Sequence, residues 1–405
     1  MVQNAFPGAT ETTPALAGLR VAVVNWRDPQ HSQAGGAEHY AWHFARALRE
    51  AGADVEFVTA RDRHQDASST VDGIHVRRRG GRIGFYAHAA WYYLSRRRRL
   101  DLVIDPECGI PTFAPLFLPR STPVVLVVHH IHQDQFGLYF PRPVAALGRW
   151  LERVAMRRVY RNARVVAVSE STEDLMRSRL GWRGPIGILP NGTAQPRESA
   201  DDHPADSDQE ERIVVLGRLV AHKRVDAVIE AMGGVRATRP SARLHICGRG
   251  PEEARLRRLV ETRGLGDSVT FHGYLPDAEK DELLRTARLH VCASDHEGWG
   301  QVVVEAAAHR VPTVARDVPG LRDSVLAGRT GWLLEAERAE PLPDSLARLI
   351  DIALGQLENE SERERWARAC REWAGRFTWE AMHAHAIEIA CEAVAEKRST
   401  MCRAT

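Results

Sequence analysis

A chain of 405 residues, 44% hydrophobic and 27% charged, exceeds what one hydrophobic core serves and reads as a soluble globular protein of two domains. Its formal net charge of +2 excludes the strongly basic balance of a nucleic-acid-binding domain. Six cysteines without paired spacing (Cys108, Cys247, Cys292, Cys370, Cys391, Cys402) argue against a disulfide framework, and no apolar run is long enough for a membrane span or a secretory core. A cytoplasmic protein is the expectation. Only three of the 55 basic residues are lysines (Lys223, Lys280, Lys397), a bias attributed to genome composition.

In chain order, short apolar runs at 21–25, 55–59, 102–105, 124–129 and 165–169 predict buried parallel strands. Amphipathic patterns at 37–50 and 144–160 predict helices between them. Gly35 and Gly36 precede the first helix and mark a close-approach turn, but the glycine spacing does not fit a dinucleotide fingerprint. Arg77-Arg78-Arg79 and Arg96 to Arg99 bracket the aromatic segment 85–94. Two readings stand: a basic amphipathic helix in weak peripheral contact with anionic lipid, or a helix packing its aromatics on the sheet with arginines in water. The second is favoured.

The stretch 195–212 is acidic and rich in Pro, Ser and Asp, and reads as an inter-domain linker. Its Asp206-Ser207-Asp208 is a nominal metal triplet that reads as inert. Strand patterns resume at 213–217, 244–248, 269–273 and 289–294, and helical patterns close the chain near 342–376 and 379–396. The expected architecture is α/β: two Rossmann-like, doubly wound domains facing across a cleft. The N-terminal domain would span 1–195, completed by a C-terminal helix at about 378–405. The second domain would span 196–377.

The cleft residues carry the chemistry. In 297-EGWGQVVVE-305, Gly298, Trp299, Gly300 and Gln301 would present backbone N–H groups at a helix N-terminus, a ready anion site. Glu297, an acid beside that site, would serve sugar hydroxyls. Glu305, further along the helix, would accept from a ribose diol, unless both acids merely favour the helix dipole. Arg218 and Lys223, after the first strand of the second domain, would neutralise a diphosphate leaving group. The bland reading of that pair is two surface cations starting a helix.

Together these motifs resemble the retaining GT-B glycosyltransferases of the large bacterial E-x7-E family, family four. The resemblance rests on EGWGQVVVE, with GGAE at 35–38, GRLVAHKRVD at 217–226, ILPNGT at 188–193, GRGPEE at 248–253 and FTWE at 377–380. It implies a metal-independent, hexosyltransferase-type enzyme that moves a sugar from a nucleoside diphosphate donor, most simply a UDP-sugar, to a hydroxyl acceptor. It implies that His129, Glu297, Arg218 and Lys223 are catalytic. Donor binding would add Gly217, Gly248, Arg249, Gly273, Gly298, Trp299, Gly300, Gln301 and Glu305. Gly35, Gly36 and Glu38 would border diphosphate and acceptor.

Relatives carry one histidine, often followed by Asp, where this chain reads His129-His130-Ile131-His132. Both His130 and His132 therefore stay candidates for acceptor contact, and a histidine metal site is disfavoured by their spacing. No resident cofactor is expected, and a monomer and a homodimer are both compatible. The acceptor is a small natural product or aminocyclitol. The alternatives are a lipid- or polysaccharide-directed enzyme of GDP-mannose type, a nucleotide-sugar epimerase or hydrolase, or a silent binding protein of the same fold.

Overall fold

The computed structural model describes residues 15–107, 109–196, 210–335 and 340–402. Most of the acidic stretch, including Asp206-Ser207-Asp208, lies outside the described residues, as does Cys108. The first sheet contains β1 (Arg20–Val24), β2 (Asp54–Thr59), β3 (Ser68–Val71), β4 (Ile74–Arg78), β5 (Leu102–Glu107), β6 (Val124–Val128), β7 (Arg164–Ala167) and β8 (Gly187–Ile188). Its order is β3-β4-β2-β1-β5-β6-β7-β8, parallel except for the β3–β4 hairpin. The second contains β9 (Glu211–Leu216), β10 (Ala242–Cys247), β11 (Val269–Gly273), β12 (Leu289–Cys292), β13 (Thr313–Arg316) and β14 (Gly331–Leu334). Its order is β11-β10-β9-β12-β13-β14, with every pair parallel.

Parallel strands need helical crossovers, which cover both sheet faces, so central strands lose the polar alternation of half-exposed ones. Residues 124-VVLVV-128 are accordingly buried throughout, each side chain contributing roughly 2 kcal/mol of burial. The helix Gly36–Glu50 turns Tyr40, Phe44, Ala47 and Leu48 inward. Against it packs the last helix, Trp379–Cys402, through Met382, Ala386, Ala390 and Ala393. Small residues at this helical spacing let the two backbones come close. The polypeptide thus returns to the first sheet, and Thr193 N–H donates to the Phe377 carbonyl at 2.7 Å where it crosses.

Three expectations change. Arg77 and Arg78 belong to strand β4, and Arg78 is not in water: it is 2% exposed and donates to Asp28 Oδ2 at 2.5 Å, with further bonds to Ser69 and Gln30. The helix Gly81–Arg96 buries Phe85, Ala89, Tyr92 and Tyr93 but leaves Trp91 and Leu94 in solvent, so it matches neither reading of the aromatics completely. The pattern at 342–376 is two helices, Leu342–Leu357 and Glu360–Ala374, because Asn359 Oδ1 accepts from Glu362 N–H at 3.1 Å and caps a new start. Among the described residues no helix is long and apolar enough to cross a membrane.

Candidate active site

In the second sheet the chain winds outward from β9 to β11, then returns to β12 on the other side of β9. A crevice opens beyond the carboxyl ends at such a switch point. Residues after β9 and β12 meet across it. Asp295 N–H donates to the His222 carbonyl at 2.7 Å, and Lys223 Nζ donates to Glu297 Oε1. Ser294 Oγ also donates to Glu297 Oε1, at 2.8 Å.

The pair is largely withdrawn from water, with side chains 20% and 14% exposed. Burial opposes charge on both groups. Their mutual attraction outweighs it, holding Glu297 below the ordinary carboxylate range and Lys223 above the ordinary ammonium value. Both are charged at neutral pH.

Arg218 lies on the exposed lip of the crevice, where a Cβ on Gly35 would sit 4.0 Å from its Nε. A Cβ on Gly36 would lie 3.9 Å from both Asn191 Nδ2 and Gln301 Cβ. The glycine turn of the first domain therefore faces the cation and helix start of the second. Gln301 opens the helix Gln301–Ala308, and its Nε2 donates to the Gly192 carbonyl at 2.8 Å. Gly298 presses on the end of β6: a Cβ there would overlap the His129 carbonyl oxygen.

His129 itself packs edge-on against Tyr40, ring centroids 4.8 Å apart. Burial, aided by the charge of His132, pulls its pKa down to about 4, so the imidazole is neutral at pH 7. Its Nε2 has no hydrogen-bond partner among the described residues. Burial and the neighbouring histidines likewise hold His130 well below the usual imidazole range. His130 lines a cavity of about 210 Å³ with Gln133 and Arg179 from the first domain and Asp295 and His296 from the second. A larger cavity of about 330 Å³ lies between β3–β4 and the helix Gly81–Arg96, among Arg77, Arg79, Arg96, Arg99 and Trp91. None of the site residues lines it, whereas the smaller cavity opens between the two domains beside His130.

The other expected residues have partners within the fold. Gly217, Gly248 and Gly273 form a backbone stack across three strand ends: Gly217 N–H donates to the Cys247 carbonyl at 3.0 Å and Gly248 N–H to the Gly273 carbonyl at 2.7 Å. Gly248, at φ +146°, could carry no Cβ without striking the Gly217 carbonyl. Arg249 lies over Gly273, its Nε 3.3 Å from a Cβ there. Trp299 turns its ring into the core against Phe377, with centroids 4.8 Å apart, so it offers a ligand only its backbone. Glu38 is occupied: it accepts from Gly35 N–H at 2.8 Å and pairs with Arg27 at 3.0 Å. Glu305 meets Lys280 Nζ at 3.7 Å beside Cys247. His132 is drawn away from the cleft toward Glu107 and Glu152.

Several of these partners were not singled out in the sequence. Lys280 is one of three lysines in an arginine-rich chain, a signal that was present. Glu107 and Glu152 carried none, because their convergence comes from β5 and a distant helical turn.

The family pattern described as Glycosyltransferase Family 4 matches residues 34–194, and that of Glycosyl transferases group 1 matches 197–373. The chain is 26% identical over 293 residues to alpha-D-kanosaminyltransferase of Streptomyces kanamyceticus, covering 67% of this chain and 75% of that protein. It is 28% identical over 299 residues to a GDP-mannose-dependent alpha-(1-6)-phosphatidylinositol monomannoside mannosyltransferase of Mycobacterium tuberculosis, with the same coverage of 67% and 75%. The crystal structure of Anabaena HepE in complex with UDP and glucose superposes with a TM-score of 0.69 at 18% identity, covering 94% of this chain and 100% of that one.

Proposed function

From its place among the GT-B glycosyltransferases, we propose that this chain moves a sugar from a nucleoside diphosphate donor, a UDP-sugar, to a hydroxyl of a small acceptor, with retention of anomeric configuration. The observation that carries this reading is the Lys223–Glu297 pair at the switch point of the second sheet, facing the Gly35–Gly36 turn. An ammonium and a guanidinium at one crevice suit a diphosphate, and the acid between them and the first domain suits the hydroxyls of the attached sugar. HepE is described with UDP and glucose, and the Streptomyces relative is named for sugar transfer in a kanosamine context. The mycobacterial relative is GDP-mannose-dependent, which keeps a GDP-mannose donor as the second reading.

Charge develops on the leaving diphosphate as the glycosidic bond breaks. Lys223 is already charged and fixed by Glu297 and the fold, so it stabilises that charge without reorganising. In this reading it and Arg218 take the part of a divalent ion at the diphosphate. The sugar ring gains positive character as in glycoside cleavage, and the Glu297 carboxylate stabilises it. Asp295 also lines the cavity, but Arg224 and Arg316 hold its carboxylate, so this reading gives it no nucleophilic part. The leaving phosphate therefore takes the acceptor proton while the hydroxyl attacks from the same face. Neutral His129, at the end of β6 against Gly298, is placed near the reacting sugar in this reading.

Calorimetric titration with UDP and GDP, followed by NMR of the product's anomeric coupling, tests the proposal. UDP should bind at least tenfold more tightly, and the product should keep the donor's α or β configuration. Tighter GDP binding would move the donor to the mannose type, and an inverted product would remove the same-face mechanism.

A further inference from the structure

Behind the cleft, three side chains from distant parts of the sequence converge. Glu107 ends β5, His132 follows β6, and Glu152 lies on the turn Leu151–Ala155, which is a π-helical interruption of the helix begun at Arg142. Such wide turns expel a residue from the regular helical face and often mark functional positions. Here the turn aims Glu152 inward. Both carboxylates are 0% exposed, and one ligand atom from each of the three residues lies within 4.8 Å of the others.

Their bonding is incomplete. His132 Nδ1 stands 3.4 Å from Glu107 Oε1 and 3.4 Å from Glu152 Oε1, beyond hydrogen-bond length to either. Neither Nδ1 nor either oxygen of Glu107 makes a well-formed hydrogen bond, although the Gly109 N–H and the His132 ring face the Glu107 carboxylate. A buried carboxylate left this way costs several kcal/mol unless something fills the gap. A proton on His132 fills it poorly. It can point at one acceptor only, and two carboxylates with one imidazolium remain a net buried anion.

The two His132–carboxylate separations suit a divalent ion, and the three ligand atoms all lie within 4.8 Å of one another. With metal–ligand bonds of about 2.1 Å, neighbouring corners of a tetrahedron lie about 3.4 Å apart. One imidazole and two carboxylates suit zinc or a similar first-row ion. The surrounding contacts orient the donors as outer partners of metal ligands do. Glu152 Oε1 accepts from His132 N–H at 2.6 Å. Its Oε2 accepts from Gln133 Nε2 at 2.5 Å, and that amide also donates to the Arg149 carbonyl at 3.1 Å.

We propose that Glu107, His132 and Glu152 form a zinc-class cation site, with solvent completing the coordination. The ion fastens β5, the loop after β6 and the π turn to one another. Gln133, bonded to Glu152, and His130, two residues from His132, line the inter-domain cavity. The site therefore shapes the acceptor side of the cleft without touching the donor diphosphate.

The full chain, stripped with a chelator and dialysed, is titrated with cobalt(II) as a spectroscopic probe and then with zinc, with no sugar donor present. The expected result is one ion per chain, visible ligand-field absorption of low-symmetry cobalt that zinc abolishes, and a thermal midpoint raised by several degrees. Glu107→Gln and Glu152→Gln, which keep shape, should each weaken zinc binding at least tenfold. Absence of the cobalt absorption in the unmodified chain means that a proton alone occupies the cluster and overturns the proposal. Zinc binding by both variants as tight as by the unmodified chain overturns it too. Neither readout involves sugar transfer, so failure here leaves the glycosyl-transfer reading untouched.

Discussion

At the level of single residues, Glu297 and Glu305 stand close in sequence but differ in what they face. Glu297 holds Lys223 and Ser294 at the point where the sugar would lie, whereas Glu305 stands by Lys280 at the end of β10. The two should separate in kinetics. Glu297→Gln removes the carboxylate that opposes positive charge on the sugar, an interaction that grows toward the transition state and so acts on kcat. A loss of roughly a hundredfold is expected, corresponding to about 3 kcal/mol. UDP affinity should be kept or slightly raised, since the freed Lys223 meets no competing anion. Glu305→Gln should weaken UDP and the UDP-sugar equally, with kcat unchanged. Side-by-side turnover and UDP titration decide this, and equal behaviour of the two variants would sink the assignment.

At the level of elements, the docking of the last helix on the first domain turns on His43. Its ring stacks on Trp379 with centroids 3.5 Å apart, and its Nδ1 lies 3.1 Å from His383 Nε2. Burial first, then the nearby His383, Arg46 and His39, depress its pKa to about 3; across the contact Glu50 lies 3.4 Å from His383. The folded chain thus resists a proton that the unfolded chain accepts below about pH 6.5. Stability contributed by neutral His43 is complete above that value and is lost as pH falls toward 3, by up to about 1.4 kcal/mol per pH unit. His43→Phe keeps the stack and should flatten the fall of the unfolding free energy between pH 6 and pH 4 by about one proton. An unchanged slope would show that other groups carry it. This contact was legible only in part: a C-terminal helix was expected to complete the first domain, but nothing marked its partner. The nine apolar runs all became strands; most are central and buried on both faces, which leaves an unbroken Val/Ile signal, while β11 is a part-exposed edge strand. β3, β4, β8, β13 and β14 escaped notice. They are edge or near-edge strands, short or carrying Ser, Thr and Arg, and Arg78 is tolerated inside only because Asp28 meets it.

At the level of the whole molecule, the motifs pointed to the residues that β9 and β12 bring together at the crevice, and the structure adds the contacts that join the two domains there. Lys223 and Glu297 were legible because glycines and charges at strand ends form local patterns. The contacts between the domains are single residues far apart in sequence, with no pattern to read. Gly298 accepts at its carbonyl from Ser169 Oγ at 2.8 Å, and Asp323 accepts from Ser171 N–H and Oγ, both at 2.9 Å. Asp323 lies on the short helix Leu321–Ser324, which packs on Gly300, and its contact with Ser171 ties the first domain to that helix start without itself being a group proposed to hold the donor. Two hydrogen bonds to a carboxylate contribute on the order of 2 kcal/mol, and misplacing reacting groups by an ångström costs far more than it costs binding. Asp323→Ala should therefore lower kcat/KM for transfer by about tenfold. UDP affinity should stay within a factor of two, because the groups proposed to hold the diphosphate all come from one domain. Small-angle scattering of the variant should show a larger radius of gyration without donor, contracting when UDP-sugar is added. If transfer is unimpaired while the scattering expands, the contact between Ser171 and Asp323 is no part of the catalytic closure, and the compact arrangement of the two sheets is only a resting state.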